Sequence, residues 1–230
     1  MASLLAGIIE GVIIGTSVFV VCFGVIYLLF FRGQIASCGL DEGGKLPLAD
    51  CEVLKSDYRM LSRRLVRAGN KYKVVLLAAS SVKCLPITIP VNVSICLAEE
   101  GKRCLLVDMD LKRDAIAAAF QIEEDSDTMP ESPVSYETSF ENLRLWPAHN
   151  FRHISKIGIA SVVGEAYGEF DFIIISDPYM DESAAQKQVA ESAECGIVFA
   201  KDAAETGRLT QLLKTSQCSL IGNVQVTSAG

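Results

Sequence analysis

Hydrophobic and polar positions change period repeatedly between Lys73 and Asp110, and the changes predict a strand, a loop, a helix and a second strand. The first strand is the apolar run Val74–Ala79, and the loop is Ser80–Thr88. A helical pattern then continues to the stop at Gly101-Lys102, and the second apolar run is Cys104–Val107. This order is typical of a β–α–β unit with a right-handed crossover, which requires a parallel sheet.

The same alternation continues through the rest of the chain. Further strands are predicted at Asn142–Trp146, Phe170–Ile175, Gly196–Ala200 and Leu220–Val226. Further helices are predicted at Leu54–Leu65, Ala115–Phe120, Ile154–Tyr167, Asp181–Ser192 and Thr206–Leu213. The acidic stretch Glu123–Ser135 contains Pro and Ser and is predicted to be an exposed loop. The expected fold class is therefore α/β, a mostly parallel sheet with helices on both faces.

An uncharged apolar run at Gly11–Phe31 is long enough to cross a bilayer and predicts one transmembrane helix before the α/β domain. Basic residues follow this run and none precedes it, which places the carboxyl side in the cytoplasm. The predicted organisation is an anchor at 1–33, a linker at 34–51 and a domain at 52–230. Ile35–Cys38 also resembles a lipoprotein cleavage box, although Arg32–Gln34 separates it from the apolar run.

Glycines recur at every fourth position of the predicted anchor, at Gly7, Gly11 and Gly15. Small residues at this spacing let two membrane helices approach closely, so the anchor would associate with itself or with another membrane protein. Glycine is also common in membrane helices without such a role. Both interpretations stay open at this point.

Composition and charge exclude several classes of function. The net charge is −7 and the pI is about 5.0, with no basic stripe suited to nucleic acid. The eight cysteines are scattered without C-x-x-C spacing, which suits a reducing compartment and not a disulfide framework. His149 and His153 are far from any cysteine pair, so we expect surface histidines and no zinc site.

Four motifs carry a resemblance to a known family. They are Tyr58-Arg59-x-Leu61, Asn92 followed by Leu97-Ala98, Glu100-Gly101-Lys102, and the run LLVDMDLKR at 105–113. Their order resembles the cytoplasmic ATPase domain of bacterial capsular and exopolysaccharide tyrosine kinases, which belong to the MinD/ParA class of P-loop ATPases. The resemblance implies a P-loop NTPase-like fold and, in an active member, ATP with Mg²⁺.

The phosphate loop departs from that family. A working loop needs glycine amides around the phosphates, a lysine on them and a Ser or Thr on magnesium. Counted back from Asn92, the family's Gly-Lys-Ser-Thr falls on Leu85–Thr88, so Pro86 replaces the lysine and Ile87 the magnesium hydroxyl. Thr88 alone is preserved in kind, and Lys83 is a candidate substitute for the lysine. No ATP or magnesium cofactor is therefore expected.

The resemblance also assigns roles to three aspartates. Asp108 would polarise magnesium-bound water or the attacking hydroxyl, and Asp110 would help to hold the metal. Alternatively, Asp108 caps the next helix and Asp110 is an ordinary turn carboxylate. At the Walker B-like strand Ser176 takes the place of the family's aspartate and Asp177 comes one residue late, which turns its side chain to the opposite face.

The motif that the resemblance assigns to a subunit contact is only partly present. The resemblance places a subunit contact on the helix that contains Arg59, but only this middle member of the family's Glu-x-x-Arg-x-x-Arg pattern is present. The alternative is a packing helix with a basic face formed by Lys55, Arg59, Arg63, Arg64 and Arg67. No tyrosine follows Tyr179, so the given sequence lacks the tyrosine cluster that these kinases phosphorylate.

These observations predict a membrane-anchored, catalytically inactive relative of the polysaccharide-biosynthesis kinases that acts as a scaffold or regulator in the bacterial inner membrane. The expected partner is a polysaccharide assembly or export component or an active ATPase homologue, with a homo-oligomer also possible. Two alternatives remain. One is an active ATPase or tyrosine kinase with an unusual phosphate loop, and the other is a MinD-like membrane positioning ATPase.

Overall fold

The computed structural model describes residues 39–41, 51–69, 71–122, 134–152 and 159–227. The predicted anchor with Gly7, Gly11 and Gly15, most of the predicted linker and most of the acidic loop lie outside the described residues. His153 and the first five residues of the predicted helix at 154–167 lie outside them as well. Among the helices that are described, none is long and apolar enough to cross a membrane.

The described strands form one sheet in the order β1-β8-β7-β2-β6-β3-β5-β4. Their bounds are β1 Gly39–Asp41, β2 Val74–Ala79, β3 Cys104–Asp108, β4 Tyr136–Glu137, β5 Leu143–Trp146, β6 Phe172–Asp177, β7 Cys195–Ala200 and β8 Ser219–Thr227. The central strands pair in parallel, and only the edge strands β1 and β4 are antiparallel to their neighbours within the described sheet. The prediction of a mostly parallel sheet is confirmed.

Helices cover both faces of this sheet. Their bounds are α1 Cys51–Ala68, α2 Thr88–Glu99, α3 Ala115–Ala119, α4 His149–Arg152, α5 Ile159–Ala166, α6 Ala184–Glu191 and α7 Ala203–Thr215. Side chains of α1, α2 and α3 join the core on one face, and those of α5, α6 and α7 join the core on the other. The predicted arrangement of helices on both faces is therefore confirmed.

Strand β2 lies at the centre of the sheet between β6 and β7, and every residue in it is buried. Val75 and Leu77 face the core under α1 and α2, whereas Val74 and Leu76 face the opposite core. A strand covered on both sides needs a continuous apolar sequence, which is why the run reads as unbroken. Its carboxyl end leads directly into the loop at Ser80–Ile87.

Three short elements differ from the sequence expectation. Residues Gly39–Asp41 of the predicted linker pair with the end of β8, since this outer strand offers unpaired backbone groups. Strand β4 covers the edge of β5 in the same way, with Tyr136 opposite Leu145. Helix α4 follows β5 directly. None of the three is long enough to show a hydrophobic period in the sequence.

Candidate functional site

The carboxyl ends of β2, β3 and β6 meet at one edge of the sheet. Ala78 lies beside Asp177, and Asp108 lies beside Ser176. Two backbone hydrogen bonds join the segments that follow: the N–H of Met109 donates to the Ser176 carbonyl at 2.9 Å, and that of Met180 donates to the Ala79 carbonyl at 2.7 Å. The sequence prediction that the loop and the aspartates share one edge agrees with this register.

The loop after β2 folds back on itself in a helical turn. The N–H groups of Cys84 and Leu85 both donate to the carbonyl of Ser81, at 3.0 and 3.1 Å. The side chains of Cys84 and Leu85 are buried in the core with β2 and α2. The loop therefore uses these two amides for its own turn and contributes side chains to the hydrophobic core.

The start of α2 offers few amide groups to an anion. Helix N-termini bind phosphates because the first N–H groups lack partners within the helix. Here Pro86 and Pro90 have no N–H, and the N–H of Ile89 donates to the Pro86 carbonyl at 3.0 Å. At most the amides of Ile87 and Thr88 remain in this turn. The residues present do not fit a triphosphate cradle.

The two candidate cationic and hydroxyl groups lie on different parts of this segment. Lys83 is exposed at the outer side of the turn, whereas Thr88 is buried as the first residue of α2. The Thr88 carbonyl accepts a hydrogen bond from the side-chain amide of Asn92 at 2.7 Å. Thr88 and Asn92, which carry the resemblance to the family, therefore stabilise the first turn of α2 together.

Asp108 is fully buried at the end of β3. Its Oδ1 accepts from the N–H of Asp110 at 2.9 Å, and its Oδ2 accepts from the N–H of Ile116 in α3 at 3.4 Å. Burial raises the pKa of Asp108 to about 7, opposed by the Asp110 hydrogen bond and reinforced by the charges of Asp110 and Asp114. The contact with Ile116 is the capping role that the sequence left open for Asp108.

Asp110 is equally buried but is paired with a cation. Its Oδ2 lies 2.6 Å from Nε of Arg113, which is half-exposed. Its Oδ1 has no hydrogen-bond partner among the described residues. Asp110 is thus a buried carboxylate within a turn, since the N–H groups of Arg113 and Asp114 both donate to its carbonyl. Its charge is compensated from within its own loop.

Asp177 extends β6 by one residue beyond the expected Walker B position. Because β6 pairs regularly to its end, the alternation of side chains places Ser176 on the Asp108 face and Asp177 on the other. Asp177 accepts from the N–H of Tyr179 at 3.0 Å, and its Oδ2 has no partner in the described part of the chain. Burial raises the pKa of Asp177 to about 7, with further increases from Asp181, Asp108 and Asp110.

The site therefore contains three buried carboxylates, those of Asp108, Asp110 and Asp177, and Arg113 forms an ion pair with Asp110. Within the described ranges, no three His, Cys, Asp or Glu side chains are close enough to hold a metal ion. A cation–π contact lies beside the cluster, with Nζ of Lys112 4.0 Å from the Tyr179 ring centre. It joins the segments that follow β3 and β6.

A second polar pair beside this site was not predicted. Nδ1 of His149 lies 2.5 Å from Oδ2 of Asp114, and Oδ1 of Asp114 accepts from the N–H of Ala148 at 2.9 Å. His149 is 5% exposed, so the expectation of a surface histidine is wrong. Its partner Asp114 lies far earlier in the chain and has a left-handed conformation with φ of 50° at the start of α3.

Arg59 lies on α1, away from these carboxylate-bearing strand ends. Its guanidinium is 3.7 Å from the carboxylate of Glu99 at the end of α2, and both side chains are about half exposed. Ser62, at another position of the family's oligomer pattern, is buried and donates to Glu100 at 3.2 Å.

Solved structures share this fold. The kinase domain of the Escherichia coli tyrosine kinase ETK matches with a TM-score of 0.60 at 13% identity, over 74% of this chain and 73% of that one. The kinase domain of VpsO matches at 0.57 and 17%, over 76% and 96%. The septum site-determining protein MinD from Pyrococcus horikoshii, complexed with Mg-ADP, matches at 0.56 and 18%, over 66% and 68%.

No protein-family model and no curated protein sequence matches the chain. The structural likeness, at these identities, establishes the fold. The resemblance stated from the sequence is confirmed at that level, since both bacterial tyrosine kinase domains and MinD-type ATPases are among the similar structures.

Proposed function

We propose that this protein is a membrane-anchored, catalytically inactive relative of the polysaccharide-biosynthesis tyrosine kinases. It acts as a scaffold or regulator of exopolysaccharide or capsule assembly or export at the bacterial inner membrane. Its partner is an assembly or export component in that membrane or an active ATPase homologue. A nucleotide is not part of this function.

The loop at Ser80–Ile87 carries the proposal. Proline stands where the family has its phosphate-binding lysine, and the neighbouring Leu85 is 1% exposed in the core. The amide of Leu85 is already bonded to Ser81. A triphosphate carries several negative charges, and Pro86 supplies neither a charge nor an N–H to compensate them at the lysine position. The absence of glycine between Ala78 and Glu100 also supports a loop that does not bind a triphosphate.

The aspartates fit a structural role in the same account. Asp108 bonds two backbone amides that shape the turn into α3, and Asp110 pairs with Arg113. Each interaction is made within the chain and needs no metal or nucleotide. On this proposal, the edge that would bind nucleotide in an active relative serves as a polar junction between three strands.

A second candidate is an ATPase or kinase with an unusual phosphate loop. The unpartnered buried oxygens of Asp110 and Asp177 in the described structure favour it, because such atoms normally have a hydrogen-bond or cation partner. In that case Lys83 and Thr88 would supply the groups that Pro86 and Ile87 lack. A MinD-like positioning ATPase would share this requirement for nucleotide.

A complementation experiment separates the two candidates. A strain that lacks the gene receives the intact chain, a Thr88→Val variant, or a chain without residues 1–33, and its surface polysaccharide is quantified by amount and length. Thr88→Val keeps the side-chain shape but removes the one hydroxyl that a magnesium site would retain. We expect the intact chain and Thr88→Val to restore the polysaccharide equally and the anchorless chain to fail. Loss of function in a folded Thr88→Val variant would instead support the nucleotide-dependent candidate.

A further inference from the structure

Helix α1 has two chemically different sides. Tyr58, Ser62 and Leu65 are buried beneath it, whereas the opposite side is exposed. The exposed side, called here the arginine face, consists of Arg59, Met60, Arg63, Arg64 and Arg67. Residues four apart lie on the same side of a helix, so these arginines form one continuous strip and not a scattered set.

The arginine face is open to a large flat partner. A shallow cleft of about 480 Å³ lies between Asp57, Met60, Arg63, Arg64 and Arg67. Met60 is 41% exposed, with its sulfur 3.9 Å from the guanidinium of Arg64. The cleft therefore places one apolar side chain among guanidinium groups.

Two arginines of this face pair with carboxylates at the end of α2. Arg59 is 3.7 Å from Glu99, and Arg63 is 3.9 Å from Glu100. Asp57 also borders the cleft. Exposed ion pairs at such distances contribute little and exchange readily. Phosphate groups in a membrane can therefore replace them without a large loss.

Charge complementarity selects one orientation of the domain. The whole chain has a net charge of −7, so an anionic bilayer repels most of its surface. A strip of arginines is attracted to the same bilayer, because basic residues near a transmembrane segment bind acidic lipid headgroups. The arginine face is thus the side that an anionic membrane attracts.

The chain length keeps the start of β1 close to the proposed anchor. Seven residues separate Phe31, the end of the apolar run, from Gly39, the first residue of β1. Since an extended chain covers at most about 3.6 Å per residue, β1 begins within roughly 30 Å of the end of that run. Restriction to this distance raises the effective concentration of lipid at the domain, so weak binding suffices.

From these observations we propose that the arginine face of α1 binds the headgroup phosphates of anionic phospholipids and turns the domain toward the membrane. This inference rests on the proposed membrane anchor and adds an orientation and a lipid class to it. The interaction is electrostatic, so it depends on lipid charge and on salt.

Fluorescence quenching in reconstituted vesicles tests the proposal. The full chain carries a fluorescent amino acid at Met60 on α1 or, as the reference, at exposed Gln188 on α6, which packs on the other face of the sheet. Vesicles contain a headgroup-linked quencher in either phosphatidylcholine or a mixture of phosphatidylcholine and phosphatidylglycerol. We expect at least twofold stronger quenching at position 60 than at 188 in the anionic vesicles only. High salt should remove the difference.

Matched charge reversals identify the surface. Arg63→Glu, Arg64→Glu and Arg67→Glu together should abolish the preferential quenching. The control combines Lys187→Glu, Arg208→Glu and Lys214→Glu, exposed residues on α6 and α7, and changes the net charge equally. It should leave the quenching pattern unchanged. Circular dichroism and retained Trp146 emission establish that both variants fold.

Two results would overturn the proposal. One is equal quenching at both positions in neutral and anionic vesicles. The other is a subunit number that changes with the α1 reversal while lipid charge has no effect, which would make the arginine face a contact between copies of the chain. A carbonate wash of the same vesicles reports the anchor separately. If the wash releases the chain, vesicle co-sedimentation still tests the arginine face, and each arginine should then contribute about fivefold to affinity.

Discussion

Nδ1 of His149 lies 2.5 Å from Oδ2 of Asp114, and this contact joins the start of α4 to the start of α3. The same carboxylate accepts from the N–H of Ala148. The pair thus links the segments that follow β3 and β5 at the carboxyl edge of the sheet. It is a structural element of that edge, which also contains Asp108 and Asp110.

Loss of the Asp114 charge should destabilise the domain. Asn is tolerated in the left-handed backbone conformation, so Asp114→Asn removes only the charge that faces buried His149. We expect a loss of about 1–3 kcal/mol in the free energy of unfolding. Denaturant unfolding followed by the fluorescence of Trp146, the only tryptophan in the chain, measures it. The control is Glu137→Gln, which removes the carboxylate of an exposed pair with Arg144 and should cost less than about 1 kcal/mol. Equal losses in the two variants would contradict a buried structural role for the pair.

Stability should fall as pH rises through neutrality. The pKa of Asp177 is about 7 in the folded protein because burial disfavours its charged form, and it is near 3.8 in the unfolded chain. The contribution of protonated Asp177 to the free energy of unfolding is fully present below pH 3.8 and is lost as pH rises through about 7. Asp177→Asn removes the carboxylate that becomes charged while buried at high pH. This variant should therefore be more stable than the parent at pH 8, by an amount on the order of a few kcal/mol.

The control for this pH dependence is exposed Asp181, whose pKa is lowered by its hydrogen bonds to Ser183. The pH dependence that Asp181 causes has the opposite sign. A group with a lowered pKa stabilises the fold at pH values above its pKa in the unfolded chain, and this stabilisation is lost on acidification. Asp181→Asn should therefore leave the neutral-range slope unchanged. Asp108, whose pKa is also raised to about 7 by burial, contributes the rest of this slope, so Asp177→Asn should reduce the slope and not abolish it. A slope between pH 5 and 8 that is unchanged in Asp177→Asn would show that other groups cause it.

The loop after β2 should behave as part of the core. Leu85→Ala leaves a cavity where a side chain with 1% exposure packs, and we expect a loss of about 2–5 kcal/mol. Lys83→Ala, two residues earlier and exposed, should change stability by less than about 0.5 kcal/mol. Thermal unfolding of both variants provides the comparison. If Leu85→Ala is as mild as Lys83→Ala, the loop is a flexible binding segment and not core.

Arg113 should act as the counter-ion of Asp110. Arg113→Gln leaves the Asp110 carboxylate buried without a cation, although the half-exposed arginine limits the cost to about 1–3 kcal/mol. The double variant Arg113→Gln/Asp110→Asn should recover most of the loss, since no buried charge then remains. The unfolding free energies of the two single variants and the double variant form the required cycle. Additive losses in the double variant would argue against a direct pair.

Most of the fold was predictable because its signals are local. The apolar runs that became β2, β3 and β7 are buried on both sides, and such strands show their identity within a few residues. The sequence assigned Thr88 to the loop, whereas α2 begins at this residue and lacks a side-chain cap that could have marked its start. By contrast β1 and β4 are two or three residues long and form only because an outer strand offers hydrogen bonds.

The site was predictable in part for a related reason. Asp108 and Asp110 were found because they directly follow a buried strand, and Asp177 because it follows another. The burial of His149 depends on Asp114, which is distant in sequence and needs an uncommon backbone conformation. No periodicity or motif reports such a contact. The folding of Cys84 and Leu85 into the core also depends on tertiary packing, although the missing glycines and Pro86 already indicated an altered loop.

Isothermal titration calorimetry of ATP with the purified full chain, with and without Mg²⁺, tests the central claim most directly. The altered loop predicts no saturable binding up to millimolar ATP in either condition, and the same result for Lys83→Ala. Micromolar binding that requires Mg²⁺ and is lost in Lys83→Ala would contradict the account and establish an active nucleotide site.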